Sequence, residues 1–180
     1  MVICQATTLD EQAALRQRAM EHQVRVAFES DHGHWNILQL HPRDMQAAFL
    51  EVDWDERSDA QGNWQPAGGL TWTDSARNNL VRGITGVTLS GSDPEQLAAH
   101  WARILGHPLT RDGGQPAVQL ANATLRFAPG DSPHSQGLTG LDLSVPAPAD
   151  MISRARASGM TTSQGEFRLG GVTFRCRPAN

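Results

Sequence analysis

The 180-residue chain carries 15 Lys+Arg against 19 Asp+Glu, a formal charge of −4, with 39% hydrophobic residues. That apolar fraction can bury a core, which excludes disorder as the whole account and fits one compact domain or two small, closely packed ones. The basic residues are scattered arginines, so no nucleic-acid footprint is expected and a small-molecule partner fits better.

Cys4 and Cys176 are the only cysteines and no C-x-x-C occurs, so neither a disulfide framework nor a thiolate zinc site is predicted. No apolar run approaches the roughly 20 residues of a membrane helix, and MVICQATTLDE lacks the charged start and apolar core of a signal peptide. The expected setting is cytoplasmic, with no membrane partner.

In chain order, VICQAT reads as a strand. A helix follows over about Leu9 to His22, where Thr8-Leu9-Asp10-Glu11 forms a capping box and Leu15, Ala19 and Met20 a thin apolar stripe. VRVAFES, NILQLHP and AAFLEVDW are the next strands. A polar connection over 57–82 comes after them, and Trp54, Trp64 and Trp72 lie in or beside it; their rings either pin it to the body or line a pocket. ITGVTLS then precedes the clearest helix, Pro94 to Leu105, with Asp93 as N-cap, Leu97, Ala98, Trp101, Ile104 and Leu105 on one face, and Gly106 beyond its end. The segment AVQLANATLRFA reads as a hairpin. The last set is LTGLDLSV, a helix over Pro148 to Ser158 stopped by Gly159, and the hairpin EFRLGGVTFRC.

Three units of strand, helix and further strands result, at 1–56, 83–130 and 137–178. They repeat internally. GVTLSGSDPEQLA from Gly86 and GLDLSVPAPADMI from Gly140 share Gly, Leu, Ser and Pro at one offset. The hairpins also superimpose, Leu120 on Leu169, Thr124 on Thr173 and Arg126 on Arg175, with turns expected at Asn122-Ala123 and Gly170-Gly171. Sliding the first unit onto them sets Glu51 in the place of Arg126 and Arg175.

Repeated βαβββ units with a helix ending as in SGSDPEQLAAHWARILGHPL resemble the vicinal-oxygen-chelate superfamily, which includes glyoxalase I, methylmalonyl-CoA epimerase, extradiol dioxygenases and bleomycin-resistance proteins. LHPRDMQAAFLEVD is most similar to the terminal hairpin of methylmalonyl-CoA epimerases, although Gln46 to Ala48 stand where that family has Gly-Gly. The resemblance implies an α+β fold of cupped antiparallel and mixed sheet flanked by helices. It also implies a divalent metal held by a His early in each first strand and a Glu in each last strand. Such a metal would polarise a small carbonyl or acyl substrate for an isomerase, epimerase or lyase reaction.

This sequence departs from the ligand rule. Gly86 and Gly140 stand at the His positions, Arg126 and Arg175 at the Glu positions, and only Glu51 is retained, with Ile3 or a near neighbour opposite it. Glu51 is therefore the candidate metal ligand or base, with His41 nearby. His32, His34 and His41 either join it as metal ligands or are turn residues. Arg126 and Arg175, with Trp54 and Trp72, either hold an anionic or antibiotic-like ligand in a metal-free cup or, for the arginines, pair with carboxylates across the sheet. A degenerate structural module is the third reading. Cups need pairs of units, so with an odd count either the first unit pairs with its counterpart in a second chain, which predicts a homodimer, or an upstream unit is missing from this chain.

Overall fold

A computed structural model describes residues 1–59, 64–66, 69, 71–77, 79–130, 132 and 136–179; the other positions, several of them in the polar connection, lie outside the described residues. The chain divides into two compact units, Met1–Ala76 with Ala99–His107, and Arg77–Ala98 with Pro108–Asn180. Among the described residues no helix is long and apolar enough to cross a membrane.

The first unit contains β1 (Val2–Gln5), α1 (Leu9–Glu21), β2 (Val26–Asp31), β3 (Trp35–Leu40), the single turn α2 (Pro42–Met45) and β4 (Leu50–Asp55). Its sheet order is β1-β4-β3-β2, with β1 parallel to β4 and the other pairs antiparallel. The expected capping box forms: Thr8 Oγ1 accepts the Glu11 N–H at 3.1 Å, and the Glu11 carboxylate accepts the N–H groups of Thr7 and Thr8. Leu15 and Ala19 are the buried stripe of α1, while Met20 is exposed. The His-Pro-Arg-Asp turn is held by local bonds. His41 Nδ1 accepts from the Arg43 N–H at 3.3 Å, and Asp44 takes the Arg25 side chain at 2.8 and 2.9 Å.

Gln46 ends α2 with φ +72°. A side chain in the left-handed region costs roughly 1–2 kcal/mol that Gly does not incur, part of which Gly returns through its freer unfolded chain. Gln46→Gly is expected to raise unfolding free energy by about 0.5–1 kcal/mol, read from the urea midpoint.

The second unit contains β5 (Gly83–Gly91), the start of α3 (Pro94–Leu105), β6 (Leu109–Asp112), β7 (Gln115–Gln119), β8 (Thr124–Pro129), β9 (Gly137–Val145), α4 (Pro148–Ala157), β10 (Thr161–Ser163), β11 (Glu166–Leu169) and β12 (Val172–Pro178). The sheet order is β10-β11-β12-β9-β5-β8-β7-β6. Two four-stranded halves with the same internal order therefore meet where β5 and β9 pair antiparallel. This is the mixed α+β architecture that the resemblance implied. The short strands β6 and β10 escape the sequence reading because they are only four and three residues long.

Gly170 and Gly171 take the positive φ that their tight turn requires. In the other hairpin Leu120 N–H donates to Ala123 O at 2.8 Å and Gln119 pairs with Thr124, so the turn is Ala121-Asn122, one residue before the expected pair. Asp93 caps α3 by accepting the Gln96 N–H at 2.9 Å. The second half of that helix belongs to the first unit. There Trp101 is fully buried and donates to Met45 O at 2.9 Å, and Arg18 donates to Ile104 O and Leu105 O, satisfying carbonyls the helix end leaves open.

Candidate functional site

Strand alternation sorts β4 into two faces: Leu50, Val52 and Trp54 on one, and Glu51, Asp53 and Asp55 on the other. The apolar face is core. The polar face is unusual, because Glu51, Asp53 and Asp55 are 6%, 1% and 1% exposed. Gln39 lies directly across from Glu51 and donates to its carboxylate. Asp55 accepts the backbone N–H groups of Ser58 and Gln65 at 3.1 and 3.4 Å, anchoring the polar connection.

No arginine pairs with Glu51 or Asp53 among the described residues, and Asp53 Oδ1 is buried without a donor. Burial first, then the neighbouring Glu51 charge and a hydrogen bond with Glu51, push the Asp53 carboxyl up to about 8. A proton held on Asp53 would relieve both the cost of its burial and the repulsion from the Glu51 carboxylate. Burial, then Asp53, also pushes the Cys4 thiol up to about 11, which leaves it protonated and unreactive.

Ile3 faces Glu51 on the adjacent strand. The register refines the sequence alignment. Arg126 pairs with Thr88 and Arg175 with Asp142, while Gly86 and Gly140 pair with Thr124 and Thr173 two positions earlier. Ile3 is thus the counterpart of Thr88 and Asp142, and Met1 the counterpart of the two glycines.

His41 stands at the end of β3 as the cap of α2. His32 stacks on Trp35 at 3.9 Å and meets Ser30 Oγ at 2.9 Å within the β2–β3 turn. Among the described residues no group of three or more His, Cys, Asp and Glu is arranged to hold a metal ion. Trp54 lies on the face opposite Glu51, and Trp72 sits 42% exposed in a 3-10 turn.

In the second unit the place of Glu51 is taken by cations. Arg126 Nη1 donates to Asp142 Oδ2 at 2.7 Å and its Nε to Asp112 at 2.5 Å. Arg175 Nη1 reaches Asp142 Oδ1 at 3.3 Å and Thr88 Oγ1 at 3.1 Å, with Glu166 at 3.8 Å from its Nε. Arg177 approaches the same Asp142 at 3.7 Å. Three arginines thus face three carboxylates, with Asp142 the deepest. The two glycines make the room: a Cβ at Gly86 would stand 2.7 Å from Arg126 Nη1, and one at Gly140 would stand 2.8 Å from Arg175 Nη1.

A divalent metal does not fit these residues. Guanidinium groups fill the space over Gly86 and Gly140, and among the described residues of the first unit no three His, Cys, Asp or Glu side chains converge on one point. A shallow groove lined by Pro148, Ile152, Arg156 and Gln164 includes none of the candidate site residues. Sequence reasoning missed Asp53, Asp55, Asp142 and Thr88. E-x-D-x-D in a strand places its three acids on one face, a signal that was available; the role of Asp142 depends on which strands pair.

No protein-family model and no curated protein matches the chain. Solved structures do. A manganese(II)-bound glyoxalase from Novosphingobium aromaticivorans matches with a TM-score of 0.63 at 14% identity, over 97% of this chain and 61% of its own. The halotolerant catechol dioxygenase BphC gives 0.58 at 9% identity, over 96% and 64%. A hypothetical protein from Staphylococcus aureus gives 0.57 at 14% identity, over 97% and 64%. The chain spans less than two thirds of the length of each. With its repeated βαβββ units and paired half-sheets, it has the vicinal-oxygen-chelate fold of glyoxalases and catechol dioxygenases.

Proposed function

We propose that this protein is a proton-transfer enzyme of the isomerase, epimerase or lyase kind, acting on a small carbonyl or acyl substrate with Glu51 as base. The observation that carries this is the buried Glu51–Asp53 pair, which lacks a cationic partner among the described residues and leaves Asp53 Oδ1 without a donor. Two carboxyl groups that share one proton supply an acceptor and a donor side by side, and a carboxyl group poised near neutral pH suits proton transfer at a carbon next to a carbonyl. Gln39 holds Glu51 in place through its amide.

A second copy of the chain would complete the site. β1 is an edge strand, whereas its counterparts β5 and β9 pair with each other. Ile3 and Met1 are exposed at that edge. Solution molar mass by light scattering is expected to be that of a dimer, and a monomer removes this part of the proposal. The matched charges around Arg126 and Arg175 favour reading the second unit as a metal-free framework rather than a second chemical centre.

The test is exchange of the α-proton in D2O, followed by NMR with a panel of small acyl thioesters and α-hydroxy carbonyl compounds. Glu51→Gln is expected to slow exchange by about 10²–10⁴-fold. Equal rates in wild type and variant would refute the assignment of Glu51. Elemental analysis alongside would show whether any metal bound by the wild type is lost in Glu51→Ala.

A further inference from the structure

We propose that the polar face of the second unit is a cradle for a single carboxylate group, built from Arg126 and Arg175 over Gly86 and Gly140, with Asp142 as its built-in ligand. This goes beyond the function proposed for Glu51 and does not depend on it. Asp142 is 2% exposed, and its two oxygens are divided between the two guanidinium groups, Oδ2 to Arg126 at 2.7 Å and Oδ1 to Arg175 at 3.3 Å. Its floor is Gly86, where a methyl group would stand 3.1 Å from Oδ2.

Several features belong to a built anion site rather than to a chance ion pair. Both arginines come from equivalent positions of the two repeats, and both lie on a glycine that gives them room. Each is held by a second acceptor, Asp112 and Thr88 respectively, so their forks stay in place when the central carboxylate changes. The carboxylate is asymmetric where the arginines are symmetric, because Thr88 is the counterpart of Asp142 in the other repeat. One acid therefore serves the two symmetric forks, with Arg177 at 3.7 Å from the same carboxylate, and an external anion cannot enter while Asp142 is present.

Asp142→Ala removes one carboxylate group from between the two forks and leaves space for formate, with less room for acetate. Thermal unfolding of the full chain is followed in formate, acetate and chloride at matched ionic strength. Formate is expected to raise the midpoint of Asp142→Ala saturably, by about 5–10 °C at a hundredfold excess over its Kd. Acetate should act more weakly, chloride should add nothing beyond its effect on wild type, and wild type should show no saturable response. Adding Arg175→Met should cancel the formate effect.

A folded Asp142→Ala that responds to formate no more than to chloride overturns the proposal, as does saturable formate binding by wild type. If Asp142→Ala does not fold in any of these salts, Asp142→Asn keeps the shape without the charge. Exchange of Arg126 for Met in that background should then restore stability, and no recovery overturns the proposal.

Discussion

Asp53→Asn is expected to make the protein more stable than wild type at pH 8 and to leave it nearly unchanged near pH 4. The wild-type carboxyl stands at about 8 in the folded chain against a reference of 3.8. Because the folded value is raised, the stability it contributes is fully present below about pH 4 and is lost as pH climbs toward 8. Within that window the unfolded chain has released the proton while the folded chain retains it. One proton of difference gives a slope of about 1.4 kcal/mol per pH unit. Asn does not titrate, and its amide can donate to Glu51 as the protonated acid does. Urea midpoints for both proteins at pH 5, 6, 7 and 8 give the difference curve. A wild type whose stability, relative to the variant, does not fall across this range contradicts the shared proton.

Trp101→Ala is expected to cost about 3–5 kcal/mol, the range for deleting a large aromatic side chain from a packed site. Trp101 is fully buried, and its indole N–H is bound to Met45 O at 2.9 Å. Trp101→Phe separates the two contributions. It keeps most of the packing but strands the carbonyl, at a cost of about 1–3 kcal/mol. Guanidinium unfolding of the three proteins provides the comparison, and a Phe variant as unstable as the Ala variant would show that the hydrogen bond outweighs the ring.

Much of the fold was legible because it rests on local signals. Thr8 and Glu11 mark one helix start, Asp93 and Pro94 another, and Gly170-Gly171 a turn that only a positive-φ pair makes easily. The repeat was legible because equivalent strands bury equivalent side chains, so Gly86 and Gly140 or Arg126 and Arg175 recur in place. The site was harder to read. Asp142 and Arg175 are 33 residues apart and meet only because β9 pairs with β12, while Arg175 and Thr88 are 87 apart and meet only because β5 pairs with β9. Nothing local announces those pairings. Glu51 was singled out as the only acid among the equivalent last-strand positions. Its neighbour Asp53 drew no notice in the sequence, because its burial depends on how β4 packs.

The glycines under the arginines also constrain how this sequence can change. Placing a side chain at position 86 while Arg126 remains sets a Cβ 2.7 Å from a guanidinium pinned by two carboxylates. Placing an acid at position 126 first would set it beside Asp142, with one fewer cation to offset both. Each single step crosses an unfavourable intermediate, and only a paired change avoids it. Gly86 and Arg126 are in that sense one structural unit, in which a change at either position calls for a matching change at the other.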